Sequence, residues 1–315
     1  MINAARNTTS VMHSVLLAML PATLASLWFY GPGVLLNLTA CIATALACEA
    51  GISALRGRPP TGTWTDRSAI VAAALLALSL PPLAPIWLPI IGTAFGIIVG
   101  KQLYGGLGQN PFNPAMVGYA ALLIAFPLEM SLWPVSWQQG GFSLRDALGP
   151  YSALPWDAIS SATLLDAGNT ALRAGLALPE SSLSTQPATW ISLCWMVGGL
   201  WLLLQRTISW HIPTGLLLSL SVLATVFFFS DADRFASPLV HLLSGACMIG
   251  AFFIATDPVS APAHPHARLL YGACIGTLVY IIRSWGSFPD GVAFAVLLMN
   301  LAAPLLDHIW RGRST

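Results

Sequence analysis

The chain consists of long apolar runs separated by short polar connections. An α-helix needs about 20 mostly apolar residues to cross the hydrocarbon core of a bilayer, with about 17 to 25 tolerated. The pattern therefore predicts an all-α integral membrane protein with about ten transmembrane helices. The predicted helices lie at residues 11–30, 34–55, 68–84, 86–104, 112–128, 190–205, 211–229, 237–256, 268–283 and 290–309.

The composition excludes an ordinary soluble protein. Hydrophobic residues make up 56% of the 315 positions, and Asp, Glu, Lys and Arg together make up only 8%. A soluble domain carries about 25% charged residues, because its surface must be covered with solvated groups. The net charge of +1 gives no sign of a nucleic-acid partner. The five cysteines lie in apolar runs without a C-x-x-C pair, which favours small buried hydrophobic residues over metal ligands or disulfides.

An internal repeat is indicated by two glycine patterns. Residues 90–96 and 270–276 each carry two glycines at the same offset, and Gly106 and Gly286 each follow the corresponding helix. Two halves of five helices each are inverted relative to each other, which is the arrangement of many membrane proteins with a site near the midplane. Chance similarity between apolar segments is the alternative. The predicted domains are 1–128 and 190–315 for the two repeats, with a loop at 129–189 between them.

The distribution of basic residues predicts the orientation. Cytoplasmic loops carry an excess of Lys and Arg. If the N-terminus is cytoplasmic, nine basic residues lie inside and four lie outside. Both termini are therefore expected in the cytoplasm, and the loop 129–189 is expected outside. The third and fourth predicted helices are separated only by the proline-rich residues 81–85, so this pair is interpreted as a hairpin or as a broken, re-entrant segment.

The segment Gly105–Met116 combines three glycines with two Asn-Pro steps. Asn110 and Asn113 each precede a proline, which disfavours helix at both positions. Free backbone groups and two side-chain amides are therefore expected to meet at the start of a membrane helix. Such groups can hydrogen-bond the edge of a flavin or a quinone, and the alternative is a helix cap with structural asparagines.

The long loop contains the segment Asp157–Asp166, which carries hydroxyl groups beside small residues. A loop of this length in a small protein is usually functional or disordered. Hydroxyls flanked by small residues are accessible to a modifying enzyme. The alternative is a helix N-cap, because Asp166 follows Thr163 by three residues.

Four polar residues stand in the last predicted helices or at their ends. Asp257 and Asp290 are interpreted as solvated caps at the membrane interface, with pairing to a cation as the alternative. His241 is expected at the outer interface. Asn300 lies inside the last apolar run and is expected to face the bundle, where it needs a hydrogen-bond partner.

Three stretches together resemble the D subunit of the Rnf electron-transport complex and, more distantly, the B subunit of the sodium-pumping NADH:quinone reductase. They are residues 105–119, 241–262 and 289–307, and the resemblance covers nearly the whole chain. It implies a ten-helix inner-membrane protein that carries FMN through a phosphoester bond to a threonine on the outer side. That threonine ends a Ser-Gly-Ala-Thr motif, which Thr163 matches by position, whereas Ser161 stands where the family has glycine.

The resemblance also implies a function. Such a protein relays electrons through flavins between ferredoxin and NAD within an ion-translocating oxidoreductase of the bacterial inner membrane, coupled to sodium or proton movement. It implies a second, non-covalent flavin such as riboflavin, for which Asn110 and Asn113 are the candidate contacts. The other complex subunits and a flavin transferase are the implied partners, beside membrane lipid. No catalytic residue and no metal ligand is assigned, and a cofactor-free transporter, a channel or a structural scaffold are the alternatives.

Overall fold

The structure is a computed structural model, and it describes residues 8–57, 67–137, 154, 156–173, 186–286, 288 and 290–311. The chain forms two compact units. The first comprises Met1–Ser160 and Leu204–Thr207, and the second comprises Ser161–Leu203 and Ile208–Thr315. The prediction of a separate domain at 129–189 stays a prediction, because much of this stretch lies outside the described residues.

The first unit is helical except for one short sheet near its end. Its helices are α1 (Thr8–Tyr30), α2 (Gly33–Leu55), α3 (Ser68–Ser79), α4 (Trp87–Ile98), a 3₁₀ turn (Gln102–Tyr104), α5 (Pro114–Ala125), α6 (Pro127–Ser131) and α7 (Trp156–Ile159). The strands β1 (Trp133–Pro134) and β2 (Ser160–Ser161) form a two-stranded sheet. Beside it, the Val135 N–H donates to the Ile159 carbonyl at 2.8 Å.

The second unit begins with the helix that follows Thr163. Its helices are α8 (Leu164–Arg173), α9 (Pro187–Leu204), α10 (His211–Ser230), α11 (Pro238–Leu243), α12 (Cys247–Ile249), a π-helix (Gly250–Ile254), α13 (Pro265–Trp285) and α14 (Val292–Arg311). The predicted span 237–256 is thus interrupted after Leu243 and continues as one short helical piece from Cys247 to Ile254.

Six described helices are long and apolar enough to cross a membrane, which confirms the predicted class of an all-α membrane protein. They are α1, α2, α9, α10, α13 and α14. The other four predicted spans contain shorter helices. Helices α3 and α4 have 12 residues each, so at 1.5 Å per residue each is about 18 Å long, less than the roughly 30 Å of a hydrocarbon core. The number of ten transmembrane helices therefore stays a prediction.

The interrupted spans are the buried ones in each unit. Helix α3 buries eight of its 12 residues, and every residue from Cys247 to Ile254 is buried. A helix that is apolar on all sides belongs in the interior of a bundle. After α3 the chain turns through Pro81 and Pro82, and the Asn37 amide donates to the Pro81 carbonyl at 2.9 Å. This contact fixes the turn against the start of α2.

Glycines allow close helix packing in both units, but with different neighbours. In the first unit, a Cβ at Gly96 would collide with the Pro114 carbonyl, so α4 packs closely on α5. In the second, Gly272 and Gly276 face the carbonyls of Ile212 and Leu216, so α13 packs closely on α10. The recurring glycines therefore allow close helix packing in both units, but the helices they pack against do not correspond. The inverted repeat stays a prediction.

Candidate functional site

Thr163 lies directly before α8, at the start of a helix. Its carbonyl accepts a hydrogen bond from the Ala167 N–H at 2.8 Å. The residue is half-buried, and Ser161 and Ala162 before it are exposed. The first N–H groups of a helix have no intrahelical acceptor and carry a partial positive charge, which favours a phosphate at this end. The N-cap position also agrees with the capping alternative, although the side chain of Asp166 lies outside the described residues.

The neighbouring hydroxyls differ in their surroundings. Ser160 donates its hydroxyl to the Trp156 carbonyl at 2.6 Å, within the short helix that precedes it. Ser161 is exposed and occupies the second strand position. A hydroxyl that donates to a backbone carbonyl is a poorer acceptor for a modifying enzyme than an exposed one, which disfavours Ser160. Of the three hydroxyl residues, Thr163 is the one that lies directly before a helix of 10 residues.

The start of α8 is held by its first apolar side chain. Leu165 is 6% exposed and clusters with Val240 and Ala236, which lie at the start of α11 and just before it. Leu165 also faces Gly245, where an added Cβ would come within 2.7 Å of the leucine Cδ1. The segment that carries Thr163 thus packs on the interrupted span 237–256.

The interruption itself is built around two charged side chains. Arg283 is 1% exposed, and its Nη2 lies 3.1 Å from Asp290 Oδ1. Asp290 also accepts from the Val292 N–H at 3.2 Å, as a cap of α14. The interpretation of Asp290 as a solvated cap was therefore only half correct, because the carboxylate caps a helix and pairs with a cation.

Two further polar predictions have different outcomes. His241 is 4% exposed inside the second unit and its Nδ1 has no hydrogen-bond partner among the described residues, so its side chain faces the bundle, while its depth at the interface stays a prediction. The prediction for Asn300 is confirmed, because its buried amide donates to the Tyr271 hydroxyl at 2.7 Å. Asp257 accepts from the Ser260 hydroxyl at 3.0 Å and so stabilises a turn after the π-helix.

The two predicted amides of the glycine-rich segment are both buried, but they differ in what they bind. Asn113 is the N-cap of α5, and its Oδ1 accepts from the backbone N–H groups of Ala115 and Met116 at 3.0 and 3.3 Å. Asn110 donates from Nδ2 to the Phe112 carbonyl at 2.9 Å, while its Oδ1 is buried without a partner. Asn113 therefore fits the capping alternative, and Asn110 alone offers a buried acceptor that a ligand can use.

Sequence reasoning missed a buried ionic cluster beside this segment. Lys101 donates from Nζ to Glu49 Oε1 at 2.5 Å and to the Ser68 hydroxyl at 2.6 Å. Gln102 donates to the same carboxylate oxygen at 3.2 Å, while Glu49 Oε2 is buried without a partner. The Lys101 carbonyl accepts from the Gly106 N–H at 3.3 Å, which ties the cluster to the glycine-rich segment. An acid inside an apolar run was the available signal.

The cluster corrects one part of the orientation argument. Lys101 counted as one of nine cytoplasmic charges, but it is 2% exposed and paired with Glu49. Arg283, counted outside, is also buried. Basic residues in loops near helix ends carry the orientation signal, so without these two the bias stands at eight against three.

The six long helices, the interrupted buried spans and the apolar core define a multi-pass membrane protein that also buries a few polar clusters. The chain belongs to the NQR2, RnfD, RnfE family, whose model matches residues 1–315. This confirms the resemblance identified from residues 105–119, 241–262 and 289–307.

Named relatives align over almost the whole chain. One from Pseudomonas aeruginosa is 48% identical, covering 98% of this chain and 91% of the relative. One from Citrobacter koseri is 45% identical, covering 98% and 95%, and one from Escherichia coli is 44% identical, covering 98% and 94%. Each is named as the D subunit of an ion-translocating oxidoreductase complex.

Proposed function

We propose that this protein is the D subunit of an ion-translocating oxidoreductase complex in the bacterial inner membrane. The observation that carries this proposal is the alignment with relatives of that name over 98% of the chain at up to 48% identity. The protein is not catalytic alone. It relays electrons between the ferredoxin and NAD sides of the complex, and this transfer is coupled to sodium or proton movement.

The proposed topology has ten membrane-embedded segments in two inverted groups of five. Six long helices support it, and the short or interrupted helices α3, α4, α5 and α11–α12 occupy the other four predicted spans. Both termini lie in the cytoplasm, which places Thr163 on the outer side. The remaining excess of basic residues in the predicted cytoplasmic loops supports this orientation.

The proposed attachment site for FMN is the Thr163 hydroxyl. The start of α8 fits a phosphoester, because the first N–H groups of a helix have no intrahelical acceptor and the helix dipole favours negative charge there. A hydroxyl forms such an ester by displacing a leaving group from an activated phosphorus. Thr163 Oγ would bond to the flavin-side phosphorus of flavin adenine dinucleotide as the phosphoanhydride bond breaks, which releases AMP and the hydroxyl proton. A flavin transferase supplies this activated donor.

The proposed contact for a second, non-covalent flavin such as riboflavin is Asn110. Its Oδ1 is a buried acceptor without a partner, and a flavin ring edge offers an N–H donor. Asn113 acts on the same segment indirectly, because its side chain caps α5 and thereby fixes the turn that follows Asn110. The surrounding glycines have positive φ values, 117° at Gly105 and 106° at Gly106, which lets backbone groups face a ligand directly.

Flavins supply centres that accept and release electrons, and the protein supplies their position and electrostatic surroundings. In this chain those tasks fall to the start of α8 for the covalent group and to Asn110 for the other. Mass spectrometry of the purified chain tests the proposal, because a cofactor-free transporter, a channel or a structural scaffold would carry no added FMN.

A further inference from the structure

The interruption of span 237–256 is stabilised at both of its ends by one ion pair. Helix α11 ends at Leu243, and the Arg283 guanidinium donates to the carbonyls of His241 at 2.5 Å and Ser244 at 3.3 Å. On the other side of the break, Asp290 accepts from the Ala246 N–H at 2.6 Å. The cation thus binds the carbonyl end of one helix piece, and the anion binds the N–H end of the next.

This arrangement satisfies backbone groups that a broken helix leaves open. Unpaired backbone groups are costly at membrane depth, where water does not replace the lost partner. The guanidinium also matches the charge of a helix C-terminus, and the carboxylate matches the charge of an N-terminus. Arg283 uses its fork to reach two carbonyls and Asp290 together, which a lysine ammonium cannot reproduce. The pair therefore fixes the geometry of the break.

The break at Ser244–Ala246 also contacts the segment that carries Thr163. Gly245 stands in the middle of the break with φ of +64°. A Cβ at this position would lie 2.4 Å from Asp290 Oδ2, 2.7 Å from Leu165 Cδ1 and 2.8 Å from Arg283 Nη2. The ion pair and Leu165 thus meet at one glycine. Leu165 is the second residue of α8, two positions after Thr163, so a shift of the break moves the start of this helix.

We propose that Arg283 and Asp290 are positioning residues for the flavin acceptor. Their ion pair holds the Ser244–Ala246 break in the conformation against which Leu165 packs. This contact holds Thr163 in the position where it is modified. This inference rests on the proposed function of Thr163. It assigns the ion pair a role in flavin attachment that differs from general stabilisation of the helix bundle.

Three variants distinguish this positioning role from a purely structural role of the ion pair. Asp290→Asn keeps the size of the side chain but leaves Arg283 as an uncompensated buried charge. Leu165→Ala removes the seated side chain and leaves the ion pair intact. Leu220→Ala is the matched control, because Leu220 is fully buried in α10 of the same unit and lies in neither the break nor α8. All three variants lose buried interactions, but only the first two disturb the contact between Leu165 and the break.

The first readout is the fraction of chains that carry FMN in the assembled complex, measured by intact mass after co-expression with a flavin transferase. Removal of one partner from a buried charge pair is strongly unfavourable, so Asp290→Asn should lower this fraction by about tenfold. Leu165→Ala should lower it as well, and Leu220→Ala should leave it at the parent level. Equal occupancy in the parent, Asp290→Asn and Leu165→Ala would overturn the inference.

The second readout does not depend on flavin. Amide hydrogen exchange is measured at the start of α8, where the Ala167 N–H donates to the carbonyl of residue 163, in a Thr163→Val chain assembled in the complex. Asp290→Asn should speed this exchange, and Leu220→Ala should not. An unchanged exchange rate in Asp290→Asn would overturn the positioning role. A parent chain without FMN but with Asp290-dependent exchange would refute the assignment of Thr163 while upholding the contact between the break and α8.

Discussion

Lys101 Nζ lies 2.5 Å from Glu49 Oε1, and the two side chains are only 3% and 1% exposed. A buried charge that loses its partner costs about 3–5 kcal/mol, whereas replacement of both charges by neutral groups of similar size is often nearly neutral. Lys101→Met should therefore lower the stability of the purified complex by several kcal/mol. The double variant Glu49→Gln with Lys101→Met should recover most of the loss.

Thermal unfolding of the single and double variants in detergent measures this coupling. A double-mutant cycle isolates the pairwise energy if each substitution removes only the shared interaction. Ser79→Ala is a suitable control, because its hydroxyl bonds only to the carbonyl four residues before it in the same helix. Equal effects of Glu49→Gln in the parent and in Lys101→Met would show that the pair contributes no coupling energy.

Asn110 and Asn113 should respond differently to substitution. Asn110→Leu removes a buried oxygen without a partner together with the hydrogen bond to the Phe112 carbonyl, so the fold should persist at a small cost in stability while binding of the proposed non-covalent flavin weakens. A lost hydrogen bond to a buried polar group costs about 1–3 kcal/mol, which weakens binding by about 5- to 150-fold. Asn113→Ala removes an N-cap and should cost about 1 kcal/mol of stability.

Acid precipitation separates the two proposed flavins, because only a non-covalent flavin is released. Asn110→Leu should lower the released flavin and leave the covalent flavin unchanged. Asn113→Asp keeps a capping oxygen and should retain both. Release of a full equivalent of flavin from Asn110→Leu would rule out this residue as a contact.

The distribution of charge also predicts the orientation of the chain. A reporter that works only in the cytoplasm should be active when it is fused after Thr315. A reporter that works only outside should be active when it is inserted within residues 140–185. The physical reason is the excess of basic residues in the predicted cytoplasmic loops. Opposite activities at both points would place Thr163 on the wrong side for the proposed attachment.

The sequence predicted the membrane class and the family because these depend on local signals. Apolar runs of sufficient length mark helices directly, and Asn300 needed a partner wherever it lay in the bundle. The break at Ser244–Ala246 could not be predicted in the same way, because hydropathy averages over a window and does not register a single glycine at positive φ. The partners that stabilise it, Arg283 and Asp290, follow about 40 residues later and meet it only in the folded chain.

The buried pair of Glu49 and Lys101 shows the same limit. Each residue stands within an apolar run, which marks it as unusual, but their separation of 52 residues gives no sign that they contact each other. The two asparagines illustrate a different limit. Their Asn-Pro steps correctly predicted a helix start at Pro114, but only the hydrogen bonds distinguish the cap, Asn113, from the residue with an open acceptor, Asn110.

The proposed attachment of FMN to Thr163 requires a single oxygen atom, the Oγ1 of its side chain. Thr163→Val keeps the shape of the side chain and removes this atom, so covalent flavin should disappear while the bundle stays folded. Thr163→Ser should retain partial modification because the hydroxyl survives. Ser160→Ala and Ser161→Gly should retain the flavin, and Ser161→Gly restores the glycine of the family motif.

Peptide mass spectrometry of the protein, purified after co-expression with a flavin transferase, tests this central claim most directly. The account predicts an added FMN phosphoryl group on Thr163 in the parent chain and an unmodified peptide in Thr163→Val. A parent chain without covalent FMN, or a Thr163→Val chain that still carries it on another residue, would contradict the account.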